Sequence, residues 1–394
     1  MSKYSTIVIG GGAAGICAAI STIRRGESVI ICEKMPQLGK KILVTGNGRC
    51  NLLNDDMSEV NYNSNARHIV RTIFGKFGKS KILDFFKELG LETYSKEGRI
   101  FPITNQASSV LKVLEMEVAR LGITREFNFN CSGLTLFKNK VQVSSKSGKT
   151  IEGHKVIIAT GGKTYPATGS DGGMYEIVAQ LGHTIIQPVP SVVPLLVDDP
   201  LCHQLQGQRI FAKSNNLIQG RKGNEVLGEL LFTKYGLSGT CILDISEDIS
   251  IALNRLQQTE VFVSLDLVPF MNKGRLKTIL EKRRMTNLAE ESMLVGILPN
   301  KVSSSLKGIF KNNDLNTAVN SIKDRRFKVK GTRGWNEAEF TNGGINLSEV
   351  NPITLESNIL KGVYFAGEIL DVNGKRGGYN LGWAWASGFV AGQN

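Results

Sequence analysis

Histidine and cysteine are scarce: the 394 residues include four His and six Cys. The cysteines, at 17, 32, 50, 131, 202 and 241, form no CxxC pair and stand at no zinc-finger spacing to a histidine. That argues against a disulfide framework, a CxxC dithiol relay and a structural zinc site. No apolar run approaches the ~20 residues that cross a bilayer. The first strand starts so early that no cleavable leader is expected before it, and a cytoplasmic protein is the simplest expectation. Internal repeats and low-complexity segments are also missing, which removes a solenoid from consideration.

Acidic charge is in short supply. Asp and Glu total 35 against 48 Lys and Arg, a net charge of +13. Residues 273–333 alone hold 15 basic and 5 acidic residues, a local excess of +10. Such a stretch reads either as the footprint of an anionic partner or as a solvated helical surface. Its only aromatics are Phe310 and Phe327, which argues against a surface for stacking single-stranded bases and favours the solvated face. Nucleic acid is therefore the rival partner and a small-molecule substrate the expected one. Hydrophobic content of 41% and charged content of 21% suit a globular chain with two or three domains.

What is present begins at Tyr4. Ile7–Ile9 is a short apolar run leading into Gly10-Gly11-Gly12-Ala13-Ala14-Gly15, then an alanine-rich segment, Gly26, and a second apolar run ending at Glu33. This order spells strand, glycine turn, helix, strand, acid. In GxGxxG the first glycine (Gly10) permits the tight turn and the second (Gly12) lets backbone approach a pyrophosphate. The third (Gly15) lets helix pack on strand. The helix start then offers free N–H groups and partial positive charge to phosphates. Glu33 follows Gly15 by 18 residues, where an acid meets a ribose hydroxyl pair. An unphosphorylated 2′-OH, as in FAD or NAD, suits a glutamate better than NADP does.

Further along, Gly46-Asn47-Gly48-Arg49-Cys50-Asn51 reads as a loop that approaches a ligand closely, with Arg49 as a phosphate or carboxylate partner. Residues 66–90 have helical periodicity, 107–121 read as a helix, and 154–158 as a buried strand running into Thr160-Gly161-Gly162. Pro188, Pro190 and Pro194 mark a change of composition. Strand-like runs follow at Val192–Val197, Leu227–Phe232, Cys241–Ile245 and Val261–Leu267, then a basic helical stretch. A late strand closes at Gly367-Glu368, a glycine-rich loop spans Gly374–Gly382, and a small-residue helix ends the chain. No second strand–GxGxxG–helix unit occurs, so no dedicated NAD(P)H domain is expected.

In this order the pieces resemble the glutathione-reductase-like superfamily of FAD enzymes. More closely, the chain resembles the bacterial flavoprotein family that includes aminoacetone oxidase and the bile-acid dehydro-reductase. The resemblance rests on LGKKILVTGNGRCNLLN at 38–54, GGKTYPATGSDG at 161–172, FTNGGI at 340–345 and AGEILDVNGKRGGYNLGWAWASG at 366–388. It implies an α/β fold: a Rossmann-like FAD-binding domain from 1–189 and 351–394, with an inserted β-barrel-like domain (190–270 and 328–350) carrying a basic helical lobe (271–327). It implies noncovalent FAD. Without a second dinucleotide unit, either NAD(P)H docks at the flavin as a transient co-substrate or electrons come from an organic substrate. It places Gly10, Gly12, Ala13, Ala14 and Gly15 on the pyrophosphate, and Glu33 and Lys34 on the adenosine ribose. Lys41, Gly46, Gly48, Arg49, Cys50 and Asn51 would run along the phosphates, ribityl chain and flavin. Cys131 would offer backbone to adenine, and Thr160, Gly161 and Gly162 would approach the adenosine end. Gly367, Glu368 and Asp371 would meet the ribityl chain and phosphate. Gly378, Tyr379, Asn380 and Leu381 would sit at the pyrimidine edge, where helix-start N–H groups can stabilise negative charge on the reduced ring.

No general base stands out. Cys50 lacks a thiol partner and reads as packing rather than redox. Tyr165 reads equally as a proton donor or as a turn former before Pro166. Arg376 reads as a solvated loop cation or an anchor for an anionic substrate. The expected activity is FAD-dependent hydride transfer with a small organic substrate or NAD(P)H, either amine oxidation or reduction of a conjugated C=C bond. A nucleic-acid-linked flavoprotein and a flavin binder without turnover are the alternatives.

Overall fold

The computed structural model describes residues 4–312 and 314–394. They divide into two units: 4–188 with 340–394, and 189–312 with 314–339.

The first unit is built on a parallel sheet. Strand β1 (Tyr4–Ile9) runs into helix α1 (Ala13–Arg24) and returns as β2 (Val29–Cys32). Ile7–Ile9 of β1 and the whole of β2 are continuous apolar runs because the sheet is covered on both faces, as parallel sheets are. β2 pairs with β3 (Thr124–Glu126), and β1 pairs with β6 (Thr150–Ile158). Two antiparallel strands, β4 (Cys131–Phe137) and β5 (Lys140–Ser145), precede β6 and extend the sheet from its first half. The late strand β7 (Val363–Phe365) pairs parallel with the second half of β6. The parallel order is thus β3-β2-β1-β6-β7, with the β1–β2 crossover made by α1. Helix α2 (Tyr379–Gly392) packs on α1 through small residues. A Cβ at Gly388 would overlap the Ala14 carbonyl oxygen, and one at Gly392 the Ala18 oxygen. The two ends of the chain therefore share one core, in which Trp383 and Trp385 are fully buried beside Ile16 and Ile20.

The second unit has an antiparallel sheet. Its order is Arg325–Lys328, Val261–Asp266, Arg209–Ile218, Val226–Thr233, Gly236–Ser238, Leu195–Leu196 and Gly331–Thr332. The first and last of these are nearly adjacent in sequence. Between them Val329 N donates to Val261 O at 2.9 Å and Lys330 N to Leu196 O at 2.9 Å, so the sheet curls until its ends meet. The helical stretch has no core of its own: Leu276, Leu280, Val302 and Ile322 join Val263 and Leu265 in one cluster.

Several expectations need correction. Cys241–Ile245 is not a strand: Cys241–Leu243 lies in the helix Thr240–Leu243, and Asp244 and Ile245 form the turn into the helix Ser246–Ser250. Its buried Cys241, Ile242, Ile245 and Ile249 follow a helical period that a five-residue window conceals. The 66–90 segment is two helices, Arg67–Lys76 and Lys79–Glu88, broken where Phe77 leaves helical backbone (φ −137°, ψ 73°). The chain returns to the first unit at 340, not 351. Residues 341–345 are tied there by Thr341 N to Glu368 Oε1 (2.8 Å) and Asp371 N to Ile345 O (3.2 Å). The glycine-rich loop ends at Gly378 rather than Gly382, and the last helix begins at Tyr379.

Candidate dinucleotide site

The glycine turn sits where β1 ends. Gly10 has φ +101°, and a Cβ on it would lie 2.6 Å from the Ala159 carbonyl oxygen. A Cβ on Gly15 would collide with the Gly10 oxygen. These two glycines hold the turn against β6 and α1 against β1. Gly12 is different. It is the N-cap of α1, in extended backbone with no side-chain cap, and a Cβ there would meet nothing within 4 Å. The first turn of α1, which includes Ala13 and Ala14, holds no acid, and its N–H groups are left without a side-chain cap.

Glu33 closes the other side of the turn. Its Oε2 accepts from Gly11 N at 2.5 Å and its Oε1 from Met35 N at 2.7 Å. Gly11, only a spacer in the fingerprint, is therefore part of the site: its N–H fixes the acid. Glu33 is 9% exposed, and burial pushes its pKa up despite these two bonds. Two oxygens that already hold backbone N–H groups keep further lone pairs for hydroxyl donors. Cys131 opens β4 nearby, where burial pushes its thiol up to about 11.

A second group forms where β6 ends. The Thr160 Oγ1 is buried without a hydrogen-bond partner. Gly161 has φ +74°, and the Gly162 oxygen accepts from Ser170 Oγ at 3.0 Å. Lys41 Nζ reaches Glu368 Oε2 and Thr164 Oγ1, both at 2.6 Å. Glu368 Oε1 also holds Thr341 N. Lys34 pairs with Asp171. Asp171, Thr164 and Thr341 were missed in the sequence; all three lie inside the fingerprints at 161–172 and 340–345, which is the signal that could have found them.

Gly367 links this group to the chain end. Its N–H donates to Ser387 Oγ at 2.9 Å and its oxygen accepts from Trp383 Nε1 at 3.1 Å, both from α2. At the start of α2, Asn51 acts as a clamp. With its amide oriented to satisfy both ends, it donates to Leu53 O (2.9 Å) and Ile100 O (3.2 Å) and accepts from Gly378 N (3.1 Å). The Asn380 side chain is spent on Gly374, accepting from its N–H and donating to its oxygen, each at 2.9 Å. Tyr379 is buried, and its carbonyl accepts from Tyr62 OH at 2.8 Å. Leu381 is half-buried. In this group the Asn51 and Asn380 side chains hold the scaffold.

The 46–51 loop is held by left-handed backbone at Gly46, Asn47, Gly48 and Cys50. Cys50 is 0% exposed, with its thiol pushed up to about 12 by burial, so it packs and does not react. Arg49 lies on the surface with its guanidinium 5.2 Å from the Phe101 ring centre. Asp371 is buried and accepts from Asn373 Nδ2 at 3.3 Å. Tyr165 is left-handed (φ +53°), and its carbonyl accepts from Thr168 N and Oγ1 at 2.8 and 2.7 Å, a turn-forming role. Arg376 is half-buried in the glycine-rich loop. Among the described residues, no cluster of His, Cys, Asp or Glu could hold a metal, and no helix is long and apolar enough to cross a membrane.

An uncapped helix start, an open Gly12, an unpartnered Thr160 hydroxyl and a buried acid with spare lone pairs fit the pyrophosphate and ribose of a dinucleotide. Residues 4–394 match the family described as HI0933-like protein Rossmann domain. The chain belongs to this family. It is 36% identical to the 3-dehydro-bile acid delta(4,6)-reductase of Clostridium scindens, with 98% of this chain and 97% of that protein aligned. It is 31% identical to the ribosomal RNA dihydrouridine synthase of Haemophilus influenzae, over 99% and 98% of the two chains. Among solved structures it is similar in fold to the open conformation of a flavocytochrome c3 fumarate reductase. The TM-score is 0.50 at 15% identity, with 99% of this chain and 77% of that one covered. This is an FAD-dependent oxidoreductase family, and FAD is the dinucleotide its members use.

Proposed function

We propose that the chain reduces a carbon–carbon double bond conjugated to a carbonyl, using noncovalent FAD. The observation that carries this reading is a shared chemistry in the names of two full-length relatives. A 3-dehydro, delta(4,6) bile acid is a dienone, and dihydrouridine is uridine with its ring C=C bond saturated. Both reactions add a hydride and a proton across an alkene polarised by a carbonyl. The shared chemistry favours C=C reduction over amine oxidation.

Bound flavin supplies the hydride. The protein's part is holding and orienting. The α1 start and Gly12 take the pyrophosphate, Glu33 takes the adenosine ribose, and Thr160 donates or accepts at the adenosine end. The N–H groups after Gly378 face the pyrimidine edge and favour its negative form. The Lys41–Glu368 pair fixes Thr341 and Thr164 at the centre of the site. A nicotinamide donor fits as a transient visitor, because no second strand–GxGxxG–helix unit occurs in the sequence. A uracil in RNA is the second reading of the substrate, favoured by the net charge of +13.

The test is anaerobic. Holoprotein reduced with NADH, NADPH or dithionite is mixed with a steroid 4,6-dien-3-one, with uridine-containing ribosomal RNA, and with buffer. Reoxidation by either conjugated substrate supports the reading. Reduction of the oxidised flavin by aminoacetone, with no reoxidation by either alkene, overturns it.

A further inference from the structure

The second unit carries a polar cavity lined by its own residues. Lys213, Asn215 and Leu217 alternate along one strand and so share one face of the curled sheet. The register sets Asn215 opposite Ser264, and Ser264 opposite Arg326. The intervening Ser214, Val263 and Leu265 are buried on the core side. Lys222 and Glu225 from the adjoining hairpin, with Asp266, Lys323 and Asp324, complete the lining of a cavity of 320 Å³.

Two features separate this cavity from an ordinary solvated sheet face. The first is its buried polar lining: Asn215 is 5% and Ser264 7% exposed, and the Asn215 Oδ1 has no hydrogen-bond partner. An unpaired buried acceptor is costly, and an apolar residue of that size would avoid the cost. The second is the charge balance. Every carboxylate is already held: Glu225 by Lys213 (2.9 Å) and Lys222 (2.7 Å), Asp266 by Lys323 (2.6 Å), Asp324 by Arg326 (2.7 Å) and Ser264 (2.5 Å). Four cations face three carboxylates, and two lysines share one of them. The spare donors are therefore cationic, and the spare acceptor is an amide oxygen.

We propose that this cavity binds a sugar phosphate: an anionic group on Lys213, Lys222 and Arg326, and a sugar hydroxyl donating to Asn215. Its size suits a small polar ligand of one nucleotide or less. The same chemistry is offered by a free mononucleotide and by a backbone unit of RNA. The site stands whether or not the flavin reaction is the one proposed above.

The experiment uses FAD-loaded full-length protein, so that the dinucleotide turn is filled. Uridine 5′-monophosphate and a ten-residue oligouridylate are titrated by calorimetry at low salt, against wild type, Asn215→Leu and Arg326→Ala. The site predicts saturable binding of the mononucleotide, weakened at least tenfold by either substitution, with FAD content and visible spectrum unchanged. If the oligomer competes and binds more tightly, with the same loss in both variants, RNA is the source; if it does not compete, a free nucleotide is. Absence of binding by both probes overturns the proposal, and so does binding that neither substitution weakens. Asn215→Leu removes an unpaired acceptor, so its melting temperature without ligand stays at or above wild type; a drop would show that Asn215 holds the fold rather than a ligand.

Discussion

Replacing Glu33 by Gln probes the acid that closes the turn. Both carboxylate oxygens accept from backbone N–H groups, Gly11 at 2.5 Å and Met35 at 2.7 Å. Gln has one acceptor, so its NH2 must face one of those N–H groups. Opposing this loss, the substitution relieves a buried charge whose pKa burial has raised. In the cofactor-free protein the two effects offset, and the melting midpoint near neutral pH moves little. In the FAD complex only the loss remains, because ribose hydroxyls donate more strongly to a carboxylate than to an amide. A hydrogen bond to a charged group contributes about 1.5–3 kcal/mol. The FAD dissociation constant, read by quenching of flavin fluorescence, therefore rises by about 10- to 150-fold.

The pH dependence has a definite sign. A carboxyl whose pKa is raised on folding holds its proton more tightly folded than unfolded. Its contribution to cofactor-free stability is thus fully present at acid pH and declines as pH rises above the unfolded value and through the raised one. FAD binding favours the ionised form, so affinity should rise over that same window, and Glu33→Gln should flatten the rise. An FAD affinity within threefold of wild type at pH 8, with the pH dependence intact, would refute the role given to Glu33.

Other outcomes follow from the same contacts. Cys50, at 0% exposure with its thiol near 12, should resist a disulfide reagent at pH 8 until the protein is unfolded, and Cys50→Ala should leave anaerobic flavin reduction unchanged. Gly388→Val pushes a branched side chain into the Ala14 carbonyl and should cost about 1–3 kcal/mol in denaturant unfolding, with FAD affinity falling as α1 shifts. Lys41→Met leaves Glu368 half-buried without its cation; the single variant should lose about 1–2 kcal/mol, and adding Glu368→Gln should recover part of it, a coupling read by a double-mutant cycle.

The glycine turn, its flanking strands and Glu33 were legible in the sequence, because each glycine answers a local steric demand and the acid follows at a fixed distance. The late strand and the last helix were legible as elements, but their contact with the turn was not. It rests on Gly388 against Ala14 and Gly392 against Ala18, and small residues at helical spacing do not name their partner. The Lys41–Glu368 pair spans 327 positions, which no local pattern encodes. Asn51 and Asn380 sit in a fingerprint that reads as ligand-binding, yet their side chains brace Gly378 and Gly374. Residues 341–345, read with the second unit, belong to the first because Thr341 is bonded to Glu368 there. The buried lining around Asn215 escaped notice because an alternating Lys-x-Asn-x-Leu strand looks like any half-solvated sheet face.

Gly12→Asp tests the central claim most directly. The position is extended and open, so an aspartate fits it and caps α1, which should leave the cofactor-free melting temperature at or slightly above wild type. The same carboxylate would stand where the helix start is to receive the pyrophosphate. Titrated with FAD, wild type should bind one equivalent and Gly12→Asp none. A variant that melts like wild type and still binds FAD with wild-type affinity would contradict the assignment of the opening turn.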